Sequence, residues 1–114
     1  MKNSFIELTN ELSAYIGELR KEIPDTMRGF SNLAQAAKKS GALDEKTKEL
    51  IALGLSVATR CDGCIGFHTK ELVRLGASRQ EIMETLGMTI YMGGGPSVMY
   101  AAEAIKAFEE FSNK

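Results

Sequence analysis

The apolar positions of the first forty residues recur every three or four residues, which is the period of an amphipathic helix. The pattern predicts a first helix over about residues 4–20, with an apolar stripe of Phe5, Leu8, Leu12, Tyr15, Ile16 and Leu19. Pro24 and Asp25 begin a second helix, and Gly41 stops it. The stripe of the second helix is Met27, Phe30, Leu33, Ala34 and Ala37.

A third helix follows, and it is apolar on most of its sides. Asp44 is a good N-cap for this helix, because its carboxylate can accept the free amide protons of the first turn. The helix is predicted to run to about Arg60. Between Leu50 and Ala58 only Ser56 is polar, so most sides of the helix must be covered.

Start and stop signals then define a fourth and a fifth helix. The fourth begins near Cys61 or Asp62 and ends at Gly76. Ser78 and Glu81 have the spacing of a capping box, which marks the start of the fifth helix. The apolar stripe of the fifth helix is Ile82, Met83, Leu86 and Ile90.

The run Gly93-Gly94-Gly95-Pro96 separates the fifth helix from a sixth, and Pro96 suits the first turn of a helix. The sixth helix carries Val98, Ala101, Ala102, Ile105 and Phe108. We interpret the glycine run as a turn rather than a phosphate loop, because neither a preceding strand nor a Gly-Lys-Ser/Thr pattern is present. No segment alternates like a strand, so the sequence predicts a single all-α domain of about six helices over residues 1–114.

Length and charge exclude several classes of protein. A chain of 114 residues can bury one core without disulfide or metal staples. Fourteen Lys and Arg against fifteen Asp and Glu give a net charge of −1, without any block of like charge, so no nucleic-acid partner is expected. The first residues lack the apolar core of a signal peptide, and no apolar run approaches the ~18 residues of a membrane span. We expect a cytoplasmic protein that does not associate with membranes.

The candidate chemistry lies on the fourth helix. The only two cysteines, Cys61 and Cys64, are too close in sequence to connect distant parts of the chain. Both fall on the apolar stripe of the helix together with His68, the only histidine. At a helix start, such a pair can form a disulfide, and the unpaired amide protons can stabilise a thiolate. Because His68 can exchange a proton near neutral pH, the sequence predicts a dithiol that reduces a substrate.

Other interpretations of the same residues stay open. Cys61, Cys64 and His68 would also suit three zinc ligands with Glu49 as a fourth, although structural zinc usually takes its ligands from separated segments. An inert helical scaffold is the third interpretation, since a lone buried cysteine or histidine usually has only a structural role. The helix N-terminus favours Cys61 as the attacking sulfur, whereas the one-turn spacing to His68 favours Cys64, which we prefer.

The pattern alone gives Glu49 no special role. On the third helix it shares a face with Glu45, Lys46 and Arg60, among others, so the simplest interpretation is a solvated carboxylate near a helix start. If Glu49 is buried instead, it would suit proton transfer.

Two segments of the sequence resemble the carboxymuconolactone decarboxylase family and, within it, the AhpD-like alkylhydroperoxidase branch. They are the stretch from Leu43 to Leu53 and the following Cys61-Asp62-Gly63-Cys64-Ile65-Gly66-Phe67-His68. The shared motif is Glu, eleven residues, then Cys-x-x-Cys-x-x-x-His, and the similarity spans roughly residues 27–109. The best-known AhpD proteins differ in two respects. They carry a histidine between the cysteines where this chain has Gly63, and they have a second helical repeat.

The resemblance implies an all-helical homo-oligomer, often trimeric or hexameric, that reduces peroxides or an oxidised peroxiredoxin and is restored by a dithiol reductant. It implies that Glu49 and His68 form a proton relay around Cys61 and Cys64, contrary to the solvated interpretation of Glu49. No flavin, nicotinamide or haem signature is visible in the sequence, so we expect no organic cofactor and no metal beside the redox-active Cys61–Cys64 disulfide. Decarboxylation of a muconolactone is not expected, because the decarboxylases of the family lack the cysteine pair.

Overall fold

A computed structural model describes residues 4–114, and residues 1–3 lie outside the described part. The chain forms six helices, which are α1 Phe5–Glu22, α2 Pro24–Lys38, α3 Glu45–Ala58, α4 Asp62–Arg74, α5 Arg79–Gly93 and α6 Gly95–Ser112. No strand occurs among the described residues. The predicted all-α class and the six predicted helices are therefore confirmed.

The helix starts agree with the capping residues of the sequence. The Asp44 carboxylate accepts the amide proton of Thr47 at 2.7 Å at the start of α3. The capping box of Ser78 and Glu81 is formed at the start of α5. The predicted interhelical turn is present at Gly94, which has a positive φ of 74° between α5 and α6.

The core lies among α3, α4, α5 and α6, with the beginning of α1 packed onto it. Its buried apolar residues are Phe5, Leu53, Val57, Ile65, Leu72, Ala77, Ile82, Leu86, Ala101, Ala104, Ala107 and Phe111. No helix of residues 4–114 has both the length and the apolar character needed to cross a membrane.

A carboxylate of α6 holds the start of α1 against this core. Glu110 accepts the amide protons of Phe5 at 2.8 Å and Ile6 at 3.3 Å. Burial acts to raise the pKa of Glu110, but these two hydrogen bonds and the Lys106 ammonium hold the pKa below its ordinary value. The carboxylate thus stays ionised and caps α1 from a distant part of the chain.

By contrast, α2 lies at the edge of the molecule. It contacts α1 and α3 among the described helices, and none of its residues is buried. Phe30 and Leu33, both from its predicted stripe, are 65% and 64% exposed. On α3, Ile51 and Leu55 are also exposed, so the expected cover over most sides of α3 is not supplied within one chain.

Candidate functional site

The turn between α3 and α4 places the first cysteine directly at the start of α4. The carbonyl of Ser56 accepts the amide proton of Cys61 at 3.0 Å, and the carbonyl of Val57 accepts that of Arg60 at 3.1 Å. Arg60 has a left-handed backbone conformation with φ of 57°. These are the two hydrogen bonds and the left-handed residue of a Schellman motif. The end of α3 therefore fixes the position of the Cys61 backbone.

Cys61 is also the N-cap of α4. Its Sγ accepts the amide proton of Cys64 at 3.2 Å, and its carbonyl accepts that of Ile65 at 2.9 Å. Cys61 and Cys64 form a disulfide with their Cα atoms 5.2 Å apart, and both residues are half-buried. Free amides in the first turn favour negative charge, so this position would stabilise a thiolate after reduction.

The second pair of predicted residues joins α3 to α4. Oε2 of Glu49 lies 2.6 Å from Nδ1 of His68, and the two side chains are 2% and 34% exposed. Opposite an ionised carboxylate, Nδ1 would be the donor, and Nε2 would be left to accept or return a proton. The interpretation of Glu49 as a solvated carboxylate is wrong, because α4 covers this face of α3 at His68.

The two pairs are neighbours on α4 without a hydrogen bond between them. His68 lies one helical turn after Cys64, and both are half-buried. Among the described residues, no hydrogen bond joins the imidazole to either sulfur. The disulfide sulfurs carry no proton, so proton exchange with His68 belongs to the reduced form.

A cavity of about 300 Å³ opens beside the Glu49–His68 pair. Its other lining residues are Ala37, Lys38, Lys48, Ile51, Ala52 and Leu55, and the cysteines are not among them. The Lys48 ammonium donates to the carbonyls of Ala37 at 3.0 Å and Lys39 at 2.6 Å, which ties the end of α2 to α3. The Glu49–His68 pair thus faces a mostly apolar space whose lining also includes two lysines.

A further carboxylate on α4 contributes negative charge on the His68 side of the helix. A hydrogen bond from Arg74 holds the pKa of Glu71 below its ordinary value, against the opposing effect of partial burial. The charges of Lys38 and His68 lower this pKa a little further. Glu71 is therefore ionised near neutral pH.

The residue between the cysteines has a packing requirement that the sequence pattern did not reveal. A Cβ atom at Gly63 would lie 2.8 Å from Cδ1 of Leu12 on α1. Gly66, one turn away, is equally constrained, since its Cβ would lie 2.7 Å from Cγ2 of Thr9. The end of the Leu12 side chain on α1 thus lies where a side chain at position 63 would begin.

The arrangement of donors gives little support to the zinc interpretation. Zinc would need both sulfurs as thiolates, and the disulfide joins Cys61 to Cys64. Within residues 4–114, no group of three or more His, Cys, Asp or Glu side chains is placed to hold a metal ion. The geometry favours sulfur redox chemistry.

Comparison with known proteins supports the resemblance. The carboxymuconolactone decarboxylase family model matches residues 24–107. An uncharacterized protein of Cupriavidus necator is 39% identical over 99 residues, which cover 87% of this chain and 88% of that protein. An uncharacterized protein of the cox locus of Paracoccus denitrificans is 33% identical over 98 residues, covering 86% of this chain and 88% of that relative.

Solved structures agree with this assignment. A carboxymuconolactone decarboxylase family protein from Legionella pneumophila is similar with a TM-score of 0.94 and 62% identity, over 95% of this chain and 96% of that one. A Thermotoga maritima structure has a TM-score of 0.82 at 34% identity, over 96% and 93% of the two chains. Another Thermotoga maritima structure, of a family protein for which a part in an antioxidative response has been suggested, has a TM-score of 0.72 at 38% identity, over 77% and 91%. The chain described here belongs to the carboxymuconolactone decarboxylase family.

Proposed function

We propose that this protein is an AhpD-like thiol oxidoreductase. In this proposal the reduced Cys61–Cys64 pair reduces a peroxide or an oxidised peroxiredoxin, and Glu49 with His68 transfers the protons. The observation that carries the proposal is the contact of 2.6 Å between buried Glu49 of α3 and half-buried His68 of α4. The disulfide lies at the start of the same helix α4. Family membership and the antioxidative response suggested for the Thermotoga maritima relative support it.

The proposed reaction consumes two thiols and one hydroperoxide. His68 removes the proton of Cys64, and the resulting thiolate attacks the terminal oxygen of the hydroperoxide. The O–O bond breaks, Cys64 becomes a sulfenic acid, and the imidazolium of His68 returns the proton to the leaving alkoxide. The Cys61 thiolate then attacks the sulfenic sulfur and expels hydroxide, which becomes water by taking a proton from solvent. The products are the disulfide, an alcohol and water.

Glu49 has the supporting role in this cycle. Its buried carboxylate accepts from Nδ1 of His68, which fixes the ring orientation and stabilises the imidazolium formed when Cys64 loses its proton. Cys61 is the resolving sulfur and the leaving group when an external dithiol reductant attacks the disulfide. The electrons are carried by the two sulfurs, so the cycle requires no bound organic cofactor. A compartment rich in dithiol donors, such as the cytoplasm, suits this cycle.

A homo-oligomer, trimeric or hexameric, is part of the proposal. A groove of about 480 Å³ between α3 and α5 has no charged residue in its lining. Leu55, Met88 and Met92 in this groove are 61%, 62% and 78% exposed, and an exposed apolar patch of this kind is typical of an interface. Ile51 and Leu55 also line the cavity beside Glu49, so a second copy on this groove would close that cavity on one side. Light scattering of the native protein measures the oligomer mass.

The test of the reaction is intact mass and free-thiol count of the reduced protein before and after a small excess of organic hydroperoxide. We expect rapid loss of both thiols and of ~2 Da, because disulfide formation removes two hydrogens. Glu49→Gln should slow this loss roughly a hundredfold, the lower end of what general acid–base catalysis contributes. Glu45→Gln, one turn earlier on α3 and paired with Arg74 instead, is the matched control and should react like the native protein.

Thiols that survive organic hydroperoxide, hydrogen peroxide and an oxidised peroxiredoxin would contradict the proposal. Stoichiometric zinc in protein purified without added metal would then favour the zinc interpretation, and its absence would favour an inert scaffold.

A further inference from the structure

Arg60 has an unusual backbone conformation for its residue type. It is the only non-glycine residue of the described chain with a positive φ, which is 57°. A side chain with a Cβ atom is disfavoured there, and helices commonly end with glycine at this position for that reason. An arginine in this place therefore calls for a reason beyond the backbone.

The end of α4 shows that the turn itself does not need arginine. There the carbonyl of Leu72 accepts the amide proton of Ala77 at 2.9 Å, and the carbonyl of Val73 accepts that of Gly76 at 3.1 Å. Gly76 has φ of 78°, so it occupies the same position in the same motif. One turn of this chain thus has glycine where the other has arginine.

The arginine side chain does not stabilise the turn through a partner. Arg60 is exposed, and its guanidinium forms no hydrogen bond or ion pair within residues 4–114. It directly precedes Cys61, whose Sγ already accepts the Cys64 amide at the start of α4. A cation beside a thiol at a helix N-terminus favours the thiolate.

We propose that Arg60 favours the thiolate form of Cys61 in the reduced protein. This inference rests on the proposed function, in which the Cys61 thiolate resolves the sulfenic acid and later leaves the disulfide. Because Arg60 acts through Cys61, it tunes the resolving sulfur and does not touch the substrate. A more acidic Cys61 has a larger ionised fraction at neutral pH and is a better leaving group.

Other charged groups around this part of α4 do not replace Arg60. Asp62 follows in the first turn of α4 and has the opposite charge to Arg60. From α3, the neighbouring charge is Glu49, which pairs with His68. From α1 the start of α4 meets the apolar Leu12, and α6 places its ion pair of Lys106 and Glu110 near Phe5.

The experiment titrates Cys61 as the only thiol, in a Cys64→Ser background. Arg60→Gly and Arg60→Asn remove the charge and accept a left-handed backbone, whereas Arg60→Lys keeps the charge. Ultraviolet absorbance of the thiolate against pH gives the pKa of Cys61. If the two charges are taken to be about 7 Å apart in a water-like medium, the pKa changes by roughly 0.4 pH units.

We expect the pKa of Cys61 to rise by about 0.4 pH units in the Gly and Asn variants and to remain native in the Lys variant. Alkylation by iodoacetamide at neutral pH should slow by up to about 2.5-fold in the first two variants, the factor that a rise of about 0.4 pH units allows, and 1 M salt should remove most of the difference. An unchanged pKa in Arg60→Gly, or an equal rise in Arg60→Lys, would overturn the inference. Neither readout uses a peroxide, so this inference and the proposed function can fail separately.

Discussion

The turns after α3 and α4 have the same backbone hydrogen bonds but are made from different residues. After α4, Gly76 takes the left-handed position, and Ser78 with Glu81 caps the next helix, so each residue is one that stabilises its place. After α3, Arg60 and Cys61 take the corresponding roles, although neither residue type is preferred there. The chain departs from the stabilising choices at the turn that carries the sulfur.

The two turns also differ by one residue in length. After α4, the amide of Ala77 donates the last hydrogen bond of the Schellman motif, and the next residue, Ser78, caps the following helix. After α3, Cys61 does both. The backbone of Cys61 is therefore fixed by α3, and its sulfur is fixed by the first turn of α4. Since α3 also carries Glu49, the short turn sets the sulfur in a defined place relative to the Glu49 carboxylate.

Exchanging the N-cap residue types of α4 and α5, Cys61 and Ser78, is expected to have the largest effect on oxidation and stability. Cys61→Ser should abolish disulfide formation and two-thiol oxidation, while its hydroxyl caps α4 at least as well as a thiol. We expect the variant to be as stable as the reduced native protein or more stable by up to about 1 kcal/mol. Mass spectrometry after hydroperoxide treatment and urea unfolding measure the two effects.

Ser78→Cys is the reciprocal control. It should lose about 1 kcal/mol of unfolding free energy, because the capping box at α5 is weakened, while oxidation of the Cys61–Cys64 pair is retained. A Cys61→Ser protein clearly less stable than the reduced native protein would show that the cysteine is itself a stabilising cap, and the contrast between the two turns would disappear.

Gly76→Arg places arginine at the left-handed position after α4, as Arg60 stands after α3. Its effect on stability should lie between those of the other variants. A Cβ atom at Gly76 would meet no heavy atom within 4 Å, so any loss of stability comes from the backbone conformation. We expect a loss of about 1–2 kcal/mol in urea unfolding, and a smaller loss for Gly76→Asn, since asparagine tolerates this conformation better. If Gly76→Arg is neutral, the left-handed arginine after α3 needs no functional reason.

These turns also show how far the sequence predicts the structure. Asp44, Ser78 and Pro96 predicted helix starts because capping depends on residues within one turn. Glu49 was misread by pattern because its partner His68 lies on another helix, and the motif resemblance alone pointed to their contact. The left-handed Arg60 and the contact of Gly63 with Leu12 were not predicted, since a helical period contains neither φ values nor the path of a distant helix.

The apolar stripes had a similar limit. The stripe of α2 correctly predicted a helix, but Phe30 and Leu33 remain exposed because a stripe does not identify the surface that covers it. The capping carboxylate Glu110 was also missed, since it lies on α6 and caps α1 from the other end of the chain. Contacts between elements distant in sequence are thus what the pattern left out.

The smallest expected effect is a difference in how stability depends on pH at the capping box of α5 and at the sulfur cap of α4. Hydrogen bonding to the Ser78 amide, followed by the ion pair with Lys46, holds the pKa of Glu81 below its ordinary value. The ionised form therefore stabilises the fold above the unfolded pKa of about 4.3, and this contribution is lost as the pH falls through the lower folded pKa. Glu81→Gln keeps a capping side chain and removes only the charge.

In urea unfolding, the reduced Glu81→Gln variant should be slightly less stable than the reduced native protein at pH 7, and the difference should shrink as the pH falls below about 4.3 and through the lowered folded pKa. A cysteine cap with a lowered thiol pKa would instead add stability as the pH rises through neutrality, well above the range of the carboxylate. The reduced Cys61→Ser variant lacks that upper component and keeps the acidic one. A difference for Glu81→Gln that keeps its full size as the pH falls through this range would mean that packing, and not charge, distinguishes the cap of α5 from the sulfur cap of α4.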